Sequence, residues 1–164
     1  SIYKFHDNIT IPFTNSKMGR NIHYIESVVN GTLITVITTH LESNNNSNIR
    51  SEQLSEIFSK FENQDHVYII GDMNMNTTEE CSSNFTYNDA WIENGMDENK
   101  RYTFDYARND NILGNYKERF DRIYYSTGKV SKFEMIGTKN EVYDLPLSDH
   151  FGIYCELIDM IDYK

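Results

Sequence analysis

Two runs rich in β-branched and aromatic residues, Asn21–Val29 and Thr32–His40, are separated only by Asn30-Gly31. An Asn-Gly step between such runs predicts a β-hairpin. After a polar loop at 44–48, apolar residues recur at Ile49, Leu54, Ile57, Phe58 and Phe61. That spacing predicts a helix from 47 to about 62, with Ser47 as its cap. Residues 66–70 (HVYII) form a short apolar run ending in Gly71-Asp72, which reads as a buried strand feeding a loop. Residues 77–85 read as polar loop or short helix, 88–94 as a helical turn around Trp91, and 94–101 as polar. Strands are expected over 120–126 and Lys129–Ile136, joined at Thr127-Gly128. A loop with Pro146 follows at 144–150, and a final strand at 151–157. Residues 1–20, which include Pro12, read as irregular lead-in. Strands around one clear helix make the class mixed α/β.

No repeat or linker divides the 164 residues, so 1–164 reads as one domain. No apolar run approaches the ~20 residues of a membrane helix. Cys81 and Cys155 are the only cysteines, too few for a disulfide framework. A reducing intracellular compartment, nuclear or cytoplasmic, is the expectation. The net charge of −10 argues against a broad grip on DNA or RNA, which depends on neutralising phosphates. It leaves room for a small site acting on one phosphodiester, where a divalent cation supplies the positive charge.

Four short segments carry candidate chemistry. Asp72 and Asn74 are two apart, so in an extended segment both leave the same side, where they can hold and deprotonate a water. Taken alone, D-x-N is an ordinary turn. Asp149-His150 precedes the last strand; Asp149 is a candidate ligand for a hard cation, and His150 a donor to a phosphoryl oxygen. In isolation such a pair is usually surface loop. His40 and Ser43 sit in Thr39-His40-Leu41-Glu42-Ser43, where a strand ends. Asp121, in Phe120-Asp121-Arg122, can stand behind an imidazole and fix its tautomer; the plainer alternative is a surface Asp-Arg pair.

Their order changes the picture. Thr39-His40-Leu41-Glu42-Ser43, then strand-Gly71-Asp72-Met73-Asn74, then Arg119-Phe120-Asp121-Arg122-Ile123, then Leu147-Ser148-Asp149-His150-Phe151-Gly152, resembles the endonuclease/exonuclease/phosphatase superfamily of metal-dependent phosphodiesterases. Ile11-Pro12-Phe13-Thr14-Asn15-Ser16-Lys17-Met18, Arg20-Asn21, Arg50-x-x-Gln53-Leu54 and Tyr102-Thr103-Phe104-Asp105 resemble the branch that cleaves 5′-tyrosyl–DNA bonds. The resemblance implies a two-sheet β-sandwich flanked by helices. It implies hydrolysis of the bond between a protein tyrosine and the 5′-phosphate of nucleic acid, leaving a 5′-phosphate, as in DNA repair. Asp72 would deprotonate the water, with Asn74 beside it. His150 would stabilise the pentacovalent phosphorus, with Asp121 behind it. His40 and Ser43 would contact the phosphate. Phe104 and Phe120 would form an apolar wall. Asp149 would belong to the shell of Mg²⁺, or Mn²⁺ as a substitute.

The resemblance covers only about the C-terminal two-thirds of that catalytic domain. The family's early T-W-N asparagine and its metal-binding Gln-Glu have no counterpart here, and Glu26, Glu42 and Glu52 do not stand in a matching context. Asn76 replaces an Arg, and Phe104 a Trp. The expectation is therefore an incomplete domain, finished by a second polypeptide, by self-association or by further chain. Its partner is the 5′ end of DNA or RNA carrying a tyrosine adduct. Two other readings stay open: another superfamily nuclease or phosphatase, and a non-catalytic half-domain.

Overall fold

The Asn30-Gly31 turn closes a hairpin between β2 (Asn21–Val29) and β3 (Thr32–His40), in register from Ile22↔Thr39 to Val29↔Thr32. Both turn residues have positive φ, 52° and 84°, as a tight hairpin turn requires. The computed structural model describes residues 8–80, 87–139 and 145–158. Before the hairpin, β1 (Ile9–Pro12) pairs antiparallel with β2. After it, helix α1 (Ser47–Phe61) crosses to β4 (Val67–Asp72), which lies parallel to β3. With β5 (Asn88–Asp89) and β8 (Asp121–Tyr125), these strands make a six-stranded sheet in the order β1-β2-β3-β4-β8-β5.

The period-2 pattern divides this sheet into two faces. Ile22, Ile37, Val67, Ile69 and Tyr124 face α1 and meet Leu54, Ile57 and Phe61. Each such aliphatic side chain contributes roughly 1.5–3 kcal/mol by leaving water. On the other face, Ile123 and Tyr125 pack with Trp91 of the short helix α3 (Ala90–Glu93) and with Val130 and Phe133. The last two belong to β9 (Lys129–Ile136), which pairs antiparallel with β10 (Gly152–Ile158). The β9–β10 sheet thus lies over the β4–β8 half of the large sheet, giving the two-sheet arrangement that the resemblance implies. A small ribbon, β6 (Phe104–Asp105) with β7 (Lys117–Glu118), stands beside it.

Three local expectations are corrected. The lead-in is not wholly irregular, because residues 9–12 form an edge strand whose bonds are completed by β2. Asn46, not Ser47, occupies the N-cap of α1, and no side chain caps that end. Gly71 and Asp72 are the last residues of β4 rather than loop. Residues 77–80 do form a short helix, α2 (Thr77–Glu80). Residues 81–85 of the 77–85 segment lie outside the described residues, as does Asp144 at the start of the 144–150 loop.

Candidate active site

His40 ends β3, Asp72 ends β4 and Asp121 begins β8. The register pairs His40 with Asp72 and Asp72 with Asp121, so the three form one row across three strands. His40 Nε2 lies 3.2 Å from Asp72 Oδ2. His150 comes from the loop before β10, and its Nδ1 lies 2.7 Å from Asp121 Oδ2. A carboxylate at that nitrogen directs the other ring nitrogen, Nε2, toward a substrate.

The fold fixes these groups by several backbone anchors. Thr103 Oγ1 accepts from the Asp121 amide at 3.1 Å, and the Thr103 carbonyl accepts from the Phe151 amide at 2.7 Å. One residue therefore ties Asp121 and Phe151, the chain neighbour of His150. The loop carrying His150 is held by Asn109, fully buried, whose Nδ2 donates to the Ser148 carbonyl at 2.8 Å. Asn111 Nδ2 donates to the Pro146 carbonyl at 2.8 Å. Sequence reasoning gave Asn109 and Asn111 no role, since they sit in a polar stretch and their partners are more than thirty residues away.

Asp72 and Asn74 do not share a side of an extended segment. The chain turns after β4, with Asn74 at φ 50°. The Asn74 amide donates to Asp72 Oδ1 at 2.8 Å, and its side-chain Nδ2 donates to the Leu41 carbonyl at 3.0 Å. Asn74 thus aims Asp72 and ties the ends of β3 and β4 together. Ser43 is half-buried, with its hydroxyl 3.3 Å from Met18 Sδ. Asp149 is exposed and accepts from Ser148 Oγ at 3.1 Å. Phe104 and Phe120 flank His150: their ring centroids lie 5.3 and 5.9 Å from that of His150.

Glu42 is fully buried and accepts from Ser16 Oγ (2.8 Å) and the Lys17 amide (2.9 Å). It pins the segment before β2 against the end of β3. Arg20 is thereby placed beside the site, on the wall of a cavity of about 240 Å³ lined also by Met18, His23, Thr38 and His40. Arg20 Nε is buried without a hydrogen-bond partner. Arg20 carried no role in the sequence reading. Its signal was its place in the Met18-x-Arg20-Asn21 motif.

The charges oppose one another. Burial pushes the Asp72 carboxyl above the usual carboxylate range, and the charge of Asp121 adds to the shift. Burial lowers the His40 imidazole, against the attraction of Asp72. His150 is raised by its hydrogen bond to Asp121, which outweighs its burial. A raised imidazole stabilises the fold fully below the unfolded value of about 6.5, and that contribution fades as pH rises through the folded value. In metal-free protein, an NMR titration of His150 is expected to give a pKa above about 6.5, falling in Asp121→Asn. Equal values in the two proteins would show that Asp121 does not hold the charge.

Tyrosyl-DNA phosphodiesterase 2 of Rattus norvegicus is 32% identical over 167 residues, covering 94% of this chain and 46% of that protein. The structure of tyrosyl-DNA phosphodiesterase 2 of Danio rerio, complexed with single-strand DNA product, superposes with a TM-score of 0.82. Its identity is 29%, over 93% of this chain and 67% of that one. The chain resembles tyrosyl-DNA phosphodiesterase 2. It spans about half the length of the curated relatives it matches. Beta toxin of Staphylococcus aureus, 23% identical with a TM-score of 0.70 over 95% of this chain and 65% of that one, shares the fold alone. No family model matches.

The carboxylates do not form a ready metal cage. Among the described residues, no group of three or more His, Cys, Asp or Glu is placed to hold a metal ion. Asp72 and Asp121 are engaged with His40 and His150 instead. Among the described residues, no helix is long and apolar enough to cross a membrane.

Proposed function

We propose that this chain carries the catalytic face of an intracellular phosphodiesterase that hydrolyses the bond between a protein tyrosine and the 5′-phosphate of DNA or RNA. The row His40–Asp72–Asp121 with His150, at the open ends of β3, β4 and β8, is the observation that carries this reading. Asp72, aimed by Asn74, takes a proton from water, whose oxygen attacks phosphorus in line with the tyrosyl oxygen. His150 Nε2, oriented by Asp121, donates to a phosphoryl oxygen and stabilises the charge that builds there. His40, with Ser43 in the turn beyond it, contacts the phosphate. Arg20 lies on the cavity wall adjoining His40, where its charge meets the departing phenolate. Phenol has a pKa of about 10, so the tyrosyl oxygen leaves without strong general-acid help. The products are free tyrosine hydroxyl and a 5′-phosphate.

Mg²⁺, with Mn²⁺ as substitute, belongs to the reading as a Lewis acid for the phosphoryl oxygen. The described residues fall short of a full ligand set, so Asp149 is proposed as one contributor and at least one further carboxylate must join it. A second polypeptide that completes the domain is one source of that carboxylate.

The test is release of 5′-phosphate from a 5′-phosphotyrosyl oligonucleotide, with Mg²⁺ and with EDTA, beside sphingomyelin and a phosphoinositide. Release confined to the tyrosyl substrate and lost in EDTA is the expected outcome. Preferential cleavage of a lipid phosphodiester would replace this reading with another of the same fold.

A further inference from the structure

Tyr116 enters the site although no motif pointed to it. It precedes β7, and its carbonyl accepts from the Tyr106 amide at 3.4 Å, which extends the β6–β7 ribbon. Within that ribbon Phe104 lies opposite Glu118, so Tyr116, two residues earlier, projects from the same side. Its ring stacks on Phe104, with centroids 5.0 Å apart and planes at 25°. Phe104 lies 5.6 Å from Phe120, and Phe120 stacks on His150 at 5.9 Å and 27°. Phe104 and Phe120 thus both stand beside His150, at 5.3 and 5.9 Å, and Tyr116 continues the aromatic surface outward from Phe104. Phe104 and Phe120 are half-buried, whereas Tyr116 is 50% exposed.

This placement matters because of the charge balance. A chain of net charge −10 is poorly suited to holding a strand by neutralising successive phosphates. Base–aromatic stacking holds a strand without positive charge and tolerates any base. A half-exposed ring at the outer end of an aromatic row has that chemistry.

We propose that Tyr116 is a nucleobase-stacking residue that takes the second base from the 5′ end, while Phe104 and Phe120 take the first nucleotide. The inference rests on the phosphodiesterase reading for the position of the 5′-phosphate at His150. A base bound in this way is out of its duplex stack, so the site favours single-stranded or frayed 5′ ends.

The test measures affinity of the full chain for two 5′-phosphorylated thymidine dinucleotides, one intact and one with an abasic second residue. Wild type, Tyr116→Phe and Tyr116→Ala are compared, and hydrolysis of the matching 5′-tyrosyl forms is followed separately. Wild type and Tyr116→Phe are expected to prefer the intact dinucleotide about tenfold, and Tyr116→Ala to reduce that preference to within about twofold. A preference that survives in Tyr116→Ala, or is missing in wild type, overturns the proposal. Hydrolysis without any preference leaves the phosphodiesterase reading standing alone. A ring-dependent preference without hydrolysis upholds stacking and separates it from catalysis by this chain. Tyr116 is half exposed, so neither substitution threatens the fold.

Discussion

Asp72→Asn is expected to lower kcat/KM for a 5′-phosphotyrosyl oligonucleotide by about 10³-fold or more, which is ~4 kcal/mol of barrier. Asn keeps the shape of the side chain and an oxygen that can accept from the Asn74 amide. What it removes is the capacity to take a proton from water. The substitution also relieves a cost. Asp72 is half-buried beside Asp121, and its pKa is raised, so the ionised carboxylate is destabilising at neutral pH. The sign follows from linkage: a carboxyl with a raised folded pKa is stabilised by protonation as pH falls, and an uncharged Asn mimics that state. The melting temperature of Asp72→Asn is therefore expected to equal or exceed that of wild type. Lost activity with an unchanged or higher Tm identifies chemistry as the cause. Lost activity with a lower Tm would mean that Asp72 acts through the fold, and the base assignment would fall.

The same raised pKa shapes the pH profile. The base works only when ionised, so activity rises with pH through a value above the ordinary carboxylate range. His150, whose pKa is raised by Asp121, keeps its proton to higher pH than a free imidazole. The two shifts move both limits of the active window to higher pH, with Asp121 contributing to each.

How much of this was legible in the sequence depends on where each element gets its stability. The β2–β3 hairpin and α1 announce themselves because their own residues carry the signal: Asn30-Gly31 in one case, Leu54, Ile57 and Phe61 in the other. β1 did not, because a four-residue edge strand is completed by its partner, and Pro12 at its end argues locally for irregular chain. The two-residue strands β6 and β7 are too short for any period to show. The site divides in the same way. Asp72, Asp121 and His150 were readable because their motifs occur in a fixed order at strand ends. Asn109 and Tyr116 were not, since each acts through a contact distant in sequence. The turn at Asn74 was misjudged for a local reason. Asp and Asn two apart invite the Asx turn that forms here, and that turn ends the extended geometry.

Gly71→Ala is the second large effect, and it falls on the fold and the site together. Gly71 has φ 152° and lies opposite Thr39 in the parallel β3–β4 pairing. A Cβ placed there would be 1.9 Å from the Thr39 carbonyl oxygen and 3.0 Å from its carbon. Both are backbone atoms, so no rotamer change relieves the clash. β3 cannot move aside without breaking its own ladder to β2. The strands must therefore part next to His40 and Asp72, the pair that follows immediately in the register. A destabilisation of about 3 kcal/mol or more is expected, at the high end for a single substitution. Urea denaturation measures it. Material that still folds is expected to show little hydrolysis, because His40 and Asp72 no longer meet at 3.2 Å. A variant with the wild-type midpoint and wild-type turnover would mean that β3 and β4 are not packed this closely, and the row of side chains on which the proposed chemistry rests would have to be redrawn.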